Sequence, residues 1–200
     1  MKAQQRQFWV PPGAPVLPSP GEALQDVVLL QAVTHTLHQQ LLSPTRIRGG
    51  LLFGYQEQHT LHVLLASTAG APTWYPDTPR DVLQIDPRFT VGWSEALATL
   101  WPGRVDWIGN WIIHPDSQSA AAKHDHRLVR QGHTLGVLDD RSILLIPSWN
   151  EGVLEFRSYT LDQEGQAEEL PCRVGPRSPL EVMQTLSTAR DARMESSPEH

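Results

Sequence analysis

The sequence predicts a mixed α/β (α+β) domain, and three observations predict it. Leu30, Val33, Leu37 and Leu41 recur at helical spacing. Strand-type alternation runs through Trp107–His114 and again through Leu154–Tyr159. Gly, Pro, Asn and Asp punctuate the intervals between such segments. A chain of 200 residues is long enough for one ordinary domain with a core of its own. Its 40% hydrophobic and 19% charged residues are a globular rather than a disordered composition.

Charge and cysteine content narrow the partners. The formal net charge is −6 and no Lys/Arg cluster occurs, which argues against nucleic acid or an anionic membrane. With Cys172 as the only cysteine, there can be no intrachain disulfide and no Cys-based zinc site. Met1–Gln7 is polar and unlike a signal peptide. The apolar runs are far shorter than the ~20 residues of a membrane helix. A cytoplasmic protein with a protein or peptide partner is expected.

Taken in order, residues 1–20 form a Pro-rich arm, with Phe8-Trp9-Val10 ahead of Pro11, Pro12, Pro15, Pro18 and Pro20. The arm could be a mobile leader, could dock on its own domain, or could exchange with a second copy in a homodimer. Glu22–Leu42 reads as a helix stopped by Ser43-Pro44. His35 and His38 share a face of it, as solvated side chains or as metal ligands. Arg46–Tyr55 and Leu61–Ser67 read as strands joined in a hairpin around Gln56–His59, with His59 and His62 as ordinary strand histidines. Thr68–Arg88 is a loop, and its Trp74-Tyr75 pair is the candidate for exposure among seven tryptophans. Pro87–Trp101 reads as a helix buried along Phe89, Trp93, Leu97 and Leu100, ended by Pro102-Gly103.

In the next strand Trp107, Trp111 and Ile113 face one way and Ile108, Asn110, Ile112 and His114 the other. Pro115 ends it, since proline has no N–H for a ladder. A helix of about Ser119–Gln131 then carries Asp125. Short strands are expected at Thr134–Leu138 and Ile143–Ile146, joined at Asp139-Asp140-Arg141. Val153–Leu161 follows the turn Asn150-Glu151-Gly152. The folded unit spans 21–165, and 166–200 is a tail with a short helix at Leu180–Ala192.

Two stretches, Gly49-Gly50-Leu51-Leu52-Phe53-Gly54 and Gly109-Asn110-Trp111-Ile112-Ile113-His114-Pro115, carry a family resemblance. Together they resemble the JAB/MPN (JAMM) metalloprotease family over about Leu24–Leu161. Active members read Gly-Glu-Trp-His-Ser-His-Pro, with a Ser and then an Asp on the following helix. Here Asp125 stands eleven residues after His114, at the family spacing. The resemblance implies a central mixed β-sheet curved around and flanked by helices. It also implies one zinc held by two His and the Asp, a Glu as general base and a Ser that stabilises the oxyanion.

Residue by residue the carry-over is incomplete. His114 and Asp125 keep the metal-ligand types. Ile112 stands at the first His, Ile47 at the Glu and Ala122 at the Ser, so the vestigial pocket is expected to be apolar. Asp116, His124 and His126 lie close enough in sequence to offer a replacement ligand, although successive helical residues point about 100° apart. The His114–Asp125 pair is then either a residual metal site or a hydrogen bond tying strand to helix. The resemblance implies a non-catalytic scaffold or interaction module with no cofactor, whose partner is a ubiquitin-like protein or peptide tail. Trp74, Tyr75 and Trp111 are the candidate contacts. The alternatives are a divergent zinc-dependent isopeptidase or peptidase with an altered metal site, and a homodimeric structural module.

Overall fold

The computed structural model describes residues 23–43, 49–68, 87–101, 105–134, 137–162 and 164–175. Residues 1–20, Ile47, Trp74, Tyr75 and the expected helix at 180–192 lie outside them. Among the described residues, eight strands form one mixed sheet and three helices pack on it.

The chain enters as a strand, β1 (Asp26–Leu29), where the leucine and valine spacing predicts the start of a helix. Val27 and Val28 are β-branched and suit a pleated surface. β1 is sandwiched in parallel between β3 (Thr60–Thr68) and β8 (Cys172–Val174). Leu30, at φ −62° and ψ 148°, still has extended backbone, so helix α1 (Gln31–Leu42) begins one residue later. α1 buries Val33, Leu37 and Leu41 as its spacing predicts.

β2 (Gly49–Glu57) and β3 form the expected hairpin, turning at Gln58 with φ 53°. Helix α2 (Pro87–Leu100) buries Leu97 against Leu51 and Phe53, with Phe89 and Trp93 half-buried beside them. Leu100, expected in that stripe, is 67% exposed instead, at the last residue of the helix. β4 (Asp106–Ile112) lies antiparallel to β2 on the side away from β3. β5 (Ile143–Asn150) runs parallel to β4, and helix α3 (Ala122–Thr134) makes the crossover that a parallel pair requires.

Of the predicted strand at Thr134–Leu138, Thr134 belongs to α3, Val137 and Leu138 lie in no strand, and residues 135–136 are outside the described residues. Both Val137 and Leu138 donate backbone N–H groups to Gly132 O, which closes the end of α3. β6 (Val153–Leu161) matches its predicted bounds, and Glu151-Gly152, with φ 50° and 83°, make the two-residue turn that a right-twisted hairpin prefers.

The folded unit continues past residue 165. β7 (Ala167–Leu170) pairs with β6, and after Pro171 the chain crosses at once to β8 beside β1. The strand order is β7-β6-β5-β4-β2-β3-β1-β8, so one proline links the two ends of the sheet and the sheet is nearly closed. Helix α1 packs on one face against Leu29, Leu52, Val63, Trp111, Ile113 and Leu145. On the other face Val129 of α3 packs with Ile112, Leu144, Ile146, Tyr159 and Leu161. No described helix is long and apolar enough to cross a membrane.

Candidate functional site

The site begins with a bulge. Leu52 pairs with Gly109 and Phe53 with Trp107, so Ile108 is the extra residue in β4. Gly109 sits at φ 153°, and a Cβ there would collide with the backbone of Ile143. The bulge resets the alternation. Ile108 joins Trp111 and Ile113 in the α1 core rather than sharing a face with Asn110, Ile112 and His114 as simple alternation predicts. Beyond the bulge the expected phase holds, and Ile112 lies in the α3 cluster.

Beyond Ile113 the chain leaves the sheet in a tight turn. Ser117, at φ 60°, donates its N–H to His114 O. Trp149 N–H then donates to Ser117 O at 2.8 Å, and Ser119 N–H donates to Trp149 O at 2.9 Å, so β5 anchors the loop. This positions the start of α3, whose first turn carries Asp125, a favourable place for a carboxylate near the helix N-terminus.

Asp125 is fully buried. Its Oδ1 accepts from His114 Nε2 at 2.8 Å. Its Oδ2 accepts from Tyr159 Oη at 2.8 Å and forms an ion pair with Arg157 Nη2 at 2.8 Å. The same Nη2 donates to Ala120 O at 2.9 Å, just before the helix. One carboxylate therefore ties β4, α3 and β6 together. Burial, and then the hydrogen bond to Asp125, push the Tyr159 hydroxyl well above the ordinary phenol range, so it remains a donor. The Arg157 guanidinium stands against the buried Asp125 carboxylate as its counter-charge.

The sequence-predicted residues separate accordingly. His114 and Asp125 do meet, as their spacing predicts. Ile112 points its side chain into an apolar cluster and supplies no donor. Ala122 is exposed at the first residue of α3. Asp116 is exposed and accepts from the N–H of Gln118, and His124 is exposed. His126 sets its ring edge-on to Tyr159, with centroids 5.7 Å apart. His38 packs against Trp149 in the same manner, with centroids 5.6 Å apart. No group of three His, Cys, Asp or Glu suited to a metal occurs among the described residues.

Trp111 is not a contact residue on the surface. It is 1% exposed, and its Nε1 donates to Ser67 O at 2.8 Å. The close approach of Gly50 makes that bond possible, because a Cβ on Gly50 would strike both the Ser67 carbonyl and the indole.

A zinc ion does not fit this arrangement. Both oxygens of Asp125 already accept hydrogen bonds, and a guanidinium occupies the cation position beside Oδ2. A dication there would face Arg157 across a buried, weakly screened gap. Arg157 and Tyr159 are the partners of Asp125 that the motif alone does not reveal. Their signal is the alternation on β6, where Glu155, Arg157 and Tyr159 share one face and Leu154 and Phe156 the other.

No family model and no curated protein matches the chain. One of 161 matching chains of solved structure is the solution structure of protein DSY2949 from Desulfitobacterium hafniense, a structural-genomics target. It is similar with a TM-score of 0.55 and 15% identity, over 77% of this chain and 96% of that one. At that identity the likeness concerns the fold alone.

Proposed function

We propose that this protein is a non-catalytic JAB/MPN-like domain that serves as a protein-interaction or scaffold module, with a ubiquitin-like protein or peptide tail as partner. The observation that carries the reading is the saturation of Asp125. The residue aligned with the family's metal-ligand Asp is held by His114, Tyr159 and Arg157. The aliphatic side chain of Ile112, packed in the α3 core, adds to it. The nearly closed mixed sheet around α1, with helices outside, agrees with the architecture that the resemblance implies. On this reading the cation that balances Asp125 belongs to the chain itself, and no cofactor is required.

The test incubates the full chain with a ubiquitin-like protein extended by a C-terminal fluorogenic group, with added zinc and with a chelator. No turnover above buffer is expected in either condition, together with saturable binding of the ubiquitin-like protein by calorimetry. Chelator-sensitive cleavage that is lost in His114→Ala would overturn the proposal.

A further inference from the structure

Helix α3 separates its charges by face. Its one carboxylate, Asp125, is buried in the tie to β4 and β6. Lys123, Arg127 and Arg130 are exposed, and so are His124 and His133. The three cations stand four and three residues apart, the spacing that aligns side chains along one side of a helix. At 1.5 Å of rise per residue they form a stripe about 10 Å long. The sequence holds no run of basic residues here, and the helical winding brings them together.

The stripe contrasts with the rest of the chain. The protein has 22 Asp and Glu against 16 Lys and Arg, for a net charge of −6. Among the described residues, Lys123, Arg127 and Arg130 make no ion pair. α3 packs over β6 and β7, and β7 carries the exposed carboxylates Glu168 and Glu169, which join no ion pair with the stripe. The exposed Asp116 ahead of the helix is engaged with the N–H of Gln118.

The helix itself gains nothing from this pattern. Lys123 lies in the first turn, where the positive end of the helix dipole disfavours a cation. Lys123 with Arg127, and Arg127 with Arg130, are like-charge neighbours at the spacings where such pairs destabilise a helix. Opposite charge supplied from outside the chain would reverse both effects.

We propose that the outer face of α3 docks an acidic segment of a partner polypeptide, whose carboxylates meet Lys123, Arg127 and Arg130. An extended segment suits the stripe. Alternate side chains of a strand repeat every ~6.7 Å, close to the ~6 Å that separates Lys123 from Arg127 along the helix axis. Three cations neutralise few phosphates, and the net charge of −6 repels a polyanion that reaches beyond the stripe, so nucleic acid and anionic membrane fit the surface less well. The surface faces away from Asp125 and does not rest on the JAB/MPN reading.

The test is fluorescence anisotropy of labelled hexaglutamate with the full chain at low ionic strength. Saturable binding is expected, weakening as salt is added. The combined variant Lys123→Gln, Arg127→Gln, Arg130→Gln should weaken it by about tenfold or more. Arg173→Gln, which removes an exposed guanidinium from β8, should change it by less than about twofold. Absence of saturable binding, or an equal loss in Arg173→Gln, would overturn the proposal. So would a single-stranded DNA oligonucleotide, or vesicles containing phosphatidylserine, that bind more tightly than hexaglutamate through the same three side chains. The combined variant should also melt at the same temperature as the unaltered protein or higher, since like charges are relieved. A lower Tm would assign the stripe to the fold and contradict a docking role.

Discussion

The two faces of strand β4 solve the same problem in different ways. On the α1 side, Trp111 and Ile113 pack among leucines and valines, and the one polar atom of the indole is met by the Ser67 carbonyl. On the α3 side, Asn110, Ile112 and His114 face a layer that begins apolar and ends in the buried tie of His114, Asp125, Arg157 and Tyr159. The first face derives its stability from area removed from water, which is not directional. The second depends on fixed partners, and removing any one leaves another unsatisfied. The two faces therefore tolerate different changes. The apolar face should respond to lost or added volume, the polar face to lost partners.

That contrast can be broken most severely at Arg157. Arg157→Met should cost about 3–5 kcal/mol in urea unfolding, because it leaves a buried carboxylate without its counter-charge. Adding Asp125→Asn should recover part of the loss, since members of one buried network are not additive. A fully additive double variant would contradict the tie. On the opposite face, Gly50→Ala should cost about 3 kcal/mol, at the upper end of overpacking, because a backbone carbonyl cannot swing away from the new methyl. Its near-ultraviolet circular dichroism should also change as Trp111 moves, and an unchanged spectrum with unchanged stability would remove the account of that face.

Tyr159→Phe removes one donor to Asp125 but leaves Arg157 and His114 in place, so a loss of about 1.5 kcal/mol is expected by denaturant titration. A loss as large as that of Arg157→Met would mean that the tyrosine, not the guanidinium, holds the tie. The smallest effect lies outside both faces, at His62 on β3. Burial holds the His62 imidazole below its ordinary value of 6.5, opposed by Glu57 at 3.7 Å. The folded state then binds fewer protons there than the unfolded chain, so the protein should lose stability as pH falls below 6.5 and through the lowered folded value. His62→Gln should flatten that part of the pH profile, and an unaltered profile would assign the acid slope to other groups.

Much of this was legible in the residues. The α1 stripe, the β2–β3 hairpin and β6 follow from periodicity and turn chemistry, and the His114–Asp125 meeting follows from their spacing on strand and helix. Three things were not. β1 is too short to separate from the helix behind it, because Val27 and Leu30 suit both periods and only the pairing with β3 and β8 decides. β7 and β8 are short strands whose identity depends on the sheet edges they join, which no local pattern encodes. The partners of Asp125 were hidden because Arg157 and Tyr159 stand more than thirty residues away in sequence, on a strand whose polar phase looks solvent-facing until α3 covers it.

Arg157 supplies the cation beside Asp125 from within the chain. Zinc calorimetry on the full protein tests it most directly, with His114→Ala and Asp125→Ala as controls. No one-to-one binding that depends on His114 and Asp125 is expected. Stoichiometric zinc in the unaltered protein, lost in both variants, would contradict it.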